Sequence, residues 1–416
     1  MVFTNALTCD FQGERELSLK VENGIIKQIA QDLDSLEIGA DEEIIDVDSK
    51  LLMPTFIDLN VYPKSRTLSR KTITTLSQKA LLGGYSTLLL MPDTNPVVDS
   101  EAIIELIKSV DSDLAVRILP SIKPIFMDSK DLRTKLCDIS KLYNAGAHCI
   151  VMDSDIEGNL ILRITQYAKM LNIPIICFAQ NASLSQGVMN EGECASRLGL
   201  PAISPKSQTA EIAKICEMLL ESEVSVVFSA VSHPRSLEII ENYKKLSLCA
   251  YAEVSLHHLI LDESIYDDYN TSGKINPPLL NKQERLKLLD SLQQGKIDLL
   301  TSLQCADFNS KKDQVFELAS FGIDALAHTF SLAYSYLVKQ GITNLPTLSR
   351  LLSKNPAYVL GLNSGSLEVG KQAEFMIVDL DESYVIEENF SPYNMQRVYG
   401  KITAIYTQDK LHQERS

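Results

Sequence analysis

The sequence predicts an α/β fold: a TIM-type (β/α)8 barrel carrying a small β-sandwich domain built from both chain termini. Three observations predict it. Strand texture occurs at both ends of the chain, strand and helix signals alternate throughout the middle, and 416 residues are enough for a barrel of roughly 250 residues or more with an accessory sheet.

The N-terminal strands fall at 17–21, 25–29 and 43–47, with Asn23-Gly24 as a hairpin signal between the first two. At the far end, 373–379 and 402–406 read as strands, punctuated by Gly365, Gly370 and Gly400. Residues 1–52 and 363–416 are therefore assigned to the sandwich and 53–362 to the barrel. Inside the barrel, short apolar strands are expected at 87–91, 116–118, 149–152, 173–177, 224–228, 250–254 and 297–300. Helical stretches such as 210–221, 236–246 and 282–294 separate them. Alternation sustained this long implies a parallel sheet, and seven or eight such units imply closure. An open doubly wound sheet is the competing fold, but no glycine-rich phosphate loop follows a strand.

With 54 acidic against 39 basic residues, the formal charge of −15 argues against binding to nucleic acid or to an anionic membrane, since both require a positive field. Apolar runs such as 87–91 and 225–229 are too short to span a bilayer, and the N-terminus lacks a signal-peptide pattern, so a cytoplasmic protein is expected. Cysteines at 9, 137, 149, 177, 194, 216, 249 and 305 show no two-residue spacing and are expected to be reduced, buried thiols.

The most informative stretch is the first expected barrel strand, Asp58-Leu-Asn60-Val-Tyr62-Pro-Lys64. Strand alternation would turn Asp58, Asn60 and Tyr62 inward and Ile57, Leu59 and Val61 toward the helices. This stretch and the downstream Met91-Pro-Asp93-Thr94 resemble the opening of a dihydroorotase barrel. Asn190-Glu-Gly192, His257-His258, Lys274-Ile-Asn276-Pro-Pro and Lys354-Asn-Pro-Ala357 follow in that family's order, so the resemblance covers nearly the whole chain. It implies a zinc-dependent cyclic-amide hydrolase fold. Where the family has its first-strand pair of zinc-binding histidines, this chain has Asn60 and Tyr62. The later ligand positions fall on Phe178 and Ala230, and the catalytic aspartate falls on Leu303. Amide and phenol are weak zinc donors, since catalytic zinc normally rests on imidazole, carboxylate or thiolate.

By the resemblance, Asp153 is the only possible surviving metal ligand, and Lys64, Asp93 and Asn276 are the remaining substrate contacts. Asp93 is expected to repel an anionic substrate. His257 and His258, read as strand neighbours, face opposite ways. His233 after Ser232 lacks a nucleophile-elbow pattern, and Cys305 has no obvious activating base. The expectation is a non-catalytic member with no catalytic residue, metal or cofactor. It would serve pyrimidine biosynthesis as an assembly partner of aspartate carbamoyltransferase and form a homo-oligomer within that larger complex. The alternative is a divergent dihydroorotase or cyclic amidohydrolase cleaving a cyclic amide C–N bond.

Overall fold

The computed structural model describes residues 1–127 and 133–413. The two ends of the chain meet in one sheet of eight strands. Val2–Asp10, Gly13–Glu22, Ile25–Ala30, Ile44–Asp46 and Leu51–Pro54 join Phe375–Val385, Arg397–Thr407 and Lys410–Gln413. Asn23 and Gly24 turn the expected hairpin with φ of 50° and 68°, the left-handed pair that matches strand twist. The edge strand Ile25–Ala30 also meets the segment that leads into Phe375–Val385, where Ile26 N–H donates to Lys371 O (2.9 Å) and Gly370 N–H to Ile26 O (2.8 Å). The sheet thus curls over its own core, in which Phe3 packs edge-on against Phe375 (4.8 Å) and Tyr406 (5.5 Å). Sequence reading missed the first strand because its alternation is broken. The register shifts between Phe3 and Ala6, and Asn5 sits at φ 53°.

From Thr55 the chain enters the barrel. Its parallel strands are Phe56–Tyr62, Tyr85–Leu90, Arg117–Pro120, Ile150–Asp153, Ile175–Phe178, Val226–Ser229, Ala250–Ser255 and a last strand in two pieces, Leu299–Thr301 and Gln304–Cys305. The break in that last strand closes the barrel. Its first piece pairs with Ala250–Ser255, the chain swings through Leu303 at φ 46°, and its second piece pairs Gln304 with Val61 and Cys305 with Tyr62. On the opposite side a parallel bridge from Ile122 to Ile150 joins the third and fourth strands. Helices Lys206–Leu219, Pro234–Lys244 and Lys282–Gln293 lie where helical periodicity places them, the last capped by Asn281 accepting from Glu284 N–H.

The barrel interior holds one apolar cluster that includes Ile57, Leu59, Tyr62, Leu89, Val151, Ile176, Val227 and Leu299. This corrects the expected phase of the first strand. The ladder to Tyr85–Leu90 shifts register between Asp58 and Val61, and the extra residue sends Ile57 and Leu59 inward. Asp58 instead turns into the closing seam, where it accepts from Thr301 Oγ1 (2.6 Å) and Ser302 N–H (2.8 Å). No helix among the described residues is long and apolar enough to cross a membrane. The expectation of buried cysteines fails at three positions: Cys137 and Cys305 are half-buried, and Cys249 is exposed, with its Sγ 3.2 Å from Ser225 Oγ.

Candidate functional site

A cavity of about 440 Å³ opens at the C-terminal ends of the barrel strands, the end where loops can converge side chains from several strands. Its walls include Asn60, Tyr62, Arg66, Asp93, Asp153, Phe178, Asn276, Leu303 and Cys305. Asp93 and Asp153, from the ends of the second and fourth strands, both bind Lys123 Nζ, at 2.8 and 2.9 Å. Sequence reading missed Lys123. It also treated Asp93 as an unshielded negative charge, whereas the ammonium neutralises much of that charge.

Tyr62 packs beneath Arg66, whose guanidinium carbon lies 4.3 Å from the ring centroid. Burial holds the Tyr62 phenol well above its ordinary pKa, so it stays a neutral hydrogen-bond donor. Lys64, the position matched to the family's basic substrate contact, stands outside the cavity wall, exposed, with Nζ 5.4 Å from the Phe308 ring centroid. Arg66 takes the wall position two residues later because Ser65 and Arg66 adopt φ of 54° and 53°, and Ser65 Oγ is clipped to Asp307 Oδ1 at 2.6 Å. The only sequence signal was a second basic residue at that spacing. Asn276 is in the wall, but its amide forms a reciprocal pair with Gln180, both bonds 3.1 Å.

Beneath the cavity runs a buried polar chain. Asn60 Nδ2 donates to Ser229 Oγ (2.7 Å), and Ser229 donates to Glu253 Oε2 (2.6 Å). Burial raises the Glu253 carboxyl to about 8, and the nearby Asp58 carboxylate adds to the effect against the hydrogen bonds that oppose it. An acid inside the apolar run 250–255 is the signal that could have marked Glu253 from sequence, because buried charge is rare without a purpose or a partner.

The histidines lie elsewhere. His257 and His258 are not strand neighbours but open the short helix Leu256–Ile260, capped by Ser255. His257 Nδ1 meets Tyr393 Oη at 2.8 Å, and His258 bridges Ser255 Oγ (2.7 Å) and Pro277 O (3.0 Å). Burial depresses them to about 3 and 4, so both are neutral core groups at pH 7. His233 accepts from Arg235 N–H as a helix cap and has no serine nucleophile partner.

The residues at the family's ligand positions do not fit zinc. Asn60 offers only a neutral amide oxygen, Tyr62 keeps its proton, Phe178, Ala230 and Leu303 offer no side-chain donor, and Asp153 already faces an ammonium. Among the described residues no group of three or more His, Cys, Asp or Glu is disposed to hold a metal ion.

Comparison with known proteins places this geometry in a lineage. The model of the amidohydrolase family matches residues 125–408. The chain belongs to the amidohydrolase family. A dihydroorotase of Enterococcus faecalis is 33% identical, with 88% of this chain and 85% of the relative aligned. One of Pediococcus pentosaceus is 31% identical over 100% of this chain and 99% of its own. Among solved structures, an L-hydantoinase (dihydropyrimidinase) from Arthrobacter aurescens superposes with a TM-score of 0.87 at 19% identity, covering 99% of this chain and 96% of the other. That likeness establishes the barrel and its terminal sheet as the amidohydrolase fold.

These findings overturn the expectation of a non-catalytic chain. The relatives carry enzyme names, and nothing in the comparisons sets this chain apart as an inactive member. The physical error was to equate one missing set of donors with a site empty of chemistry. The mouth holds a paired carboxylate–ammonium cluster, a guanidinium and, at one of the lost ligand positions, a neutral phenol.

Proposed function

We propose that this chain is a divergent cyclic amidohydrolase that takes a small dihydropyrimidine-type ring into the barrel mouth and opens it at an amide C–N bond. The observation that carries the reading is the convergence of Asp153, Tyr62 and Arg66 on one cavity of a size suited to a small-molecule ligand, with Lys123 paired to Asp153. The names of the relatives support a six-membered ring bearing a carboxylate. Arg66 suits that carboxylate, because no ion pair among the described residues occupies its charge.

Asp153, paired with Lys123, takes a proton from water as the water oxygen adds to the ring carbonyl carbon. The C–N bond then breaks, and the ring nitrogen receives a proton from the Tyr62 hydroxyl or the Lys123 ammonium, which recovers it from Asp153. One water is consumed and one open-chain acid is formed. The test is ring opening of dihydroorotate, 5,6-dihydrouracil and hydantoin by protein dialysed against a chelator. Turnover of at least one ring is expected, falling on the order of a hundredfold or more in Asp153→Asn, as loss of a general base does. If the protein neither opens nor binds any of the three, the reading is wrong.

Association with aspartate carbamoyltransferase is compatible with catalysis and stands as a second proposal, supported by the resemblance alone. Co-elution of the two chains at micromolar concentration tests it, and separate elution rejects it.

A further inference from the structure

The orientation of the Asn60 amide has a consequence for what the cavity recognises. Asn60 is 2% exposed and forms part of the cavity wall. Its Nδ2 is committed to Ser229 Oγ at 2.7 Å. Ser229 in turn donates to Glu253 Oε2 at 2.6 Å, an oxygen that also accepts from Ala230 N–H at 3.4 Å. The chain of donors runs one way, from Asn60 through Ser229 to Glu253. It leaves Asn60 Oδ1 as a buried acceptor with no partner among the described residues. An unsatisfied buried acceptor is costly, so a ligand able to supply a donor there gains by doing so.

We propose that Asn60 Oδ1 accepts a hydrogen bond from a ring N–H of the cyclic amide, making Asn60 a specificity residue and Ser229 the positioning residue that fixes which face of its amide meets the ligand. This rests on the cavity reading above and sharpens it. The ligand must present a secondary amide or imide N–H toward the barrel floor, so rings alkylated at that nitrogen are excluded.

The experiment is calorimetric titration of the full chain with dihydroorotate and with its two mono-N-methyl derivatives. In the wild type, methylation at one ring nitrogen should weaken binding by about tenfold or more, as expected when a buried polar group loses its partner. Ser229→Ala frees the amide to rotate and should reduce that ratio to about threefold or less, whereas Ser229→Thr, which keeps the hydroxyl, should restore it. A purely steric effect of the methyl group, or a purely structural role for Ser229, would leave the ratio unchanged in Ser229→Ala, and that result overturns the proposal. Asn60→Leu supplies a second variant, in which the preference should vanish. Equal affinity of all three rings for the wild type also overturns the inference while leaving the cavity reading intact. Failure of every ring to bind removes both.

Discussion

Glu253 is a carboxylic acid with no exposed surface, one oxygen held by Ser229 and the other without a partner. Its folded pKa of about 8 stands above the usual carboxylate value, so between the two the folded state holds a proton that the unfolded state has released. The contribution to stability is complete below the unfolded pKa and is lost as pH rises through about 8. Glu253→Gln removes this linkage. The variant should gain roughly 1–3 kcal/mol relative to wild type between pH 5 and pH 8, measured as the pH dependence of the difference in denaturation midpoints. A difference that stays flat across that window would show that Glu253 is ionised in the folded state. The buried histidines act in the opposite sense. Their depressed values of about 3 and 4 mean that stability present above the ordinary imidazole pKa is lost as pH falls toward 4.

Among the elements, the lip of the cavity is shaped by a close backbone approach at Gly322. This residue sits at φ 117°, and a Cβ there would overlap the Cys305 carbonyl oxygen. Gly322→Ala should cost about 1–3 kcal/mol through strain and displacement of the last barrel strand, and it should weaken ring binding by at least as much as it lowers stability. Thermal denaturation together with ligand titration measures both, and an unchanged affinity would detach the lip from the site. The regular elements were legible in the sequence because burial imposes a period. The expected strands and helices of the barrel overlap the observed ones, and Asn23-Gly24 forms its hairpin. Periodicity failed where one residue was inserted, as between Asp58 and Val61, since a single extra residue reverses every side chain beyond it. The candidate site was partly legible. Asp93, Asp153 and Asn276 were expected as contacts and line the cavity, Lys64 was expected there and does not, and Asn60 and Tyr62 were expected only as replaced ligand positions; Arg66 depends on a local turn, and Lys123 and the Ser229–Glu253 chain depend on pairings across strands that sequence spacing does not carry.

At the scale of the whole molecule, the terminal sheet and the barrel are joined by a polar weld as well as by packing. Glu374, at the entry to the returning strands, pairs with Arg117 of the third barrel strand and accepts from Ser86 Oγ of the second at 3.1 Å, while Thr55 Oγ1 donates to Ser86 at 2.7 Å. The two units should therefore unfold together. Calorimetry should show one cooperative transition, and Glu374→Ala should lower its midpoint by an amount equivalent to about 2 kcal/mol by leaving Arg117 without its partner. Two resolved transitions in the wild type would mean that the weld does not couple the units. The Lys123 bridge has a different consequence, for the approach of a ligand rather than for its grip. Because Asp93 and Asp153 absorb that ammonium, Arg66 is the cation in the described cavity wall open to an incoming carboxylate, on a chain whose net charge is −15. An anionic ring must cross a repulsive outer field before that short-range attraction takes hold, so added salt should speed its capture rather than slow it.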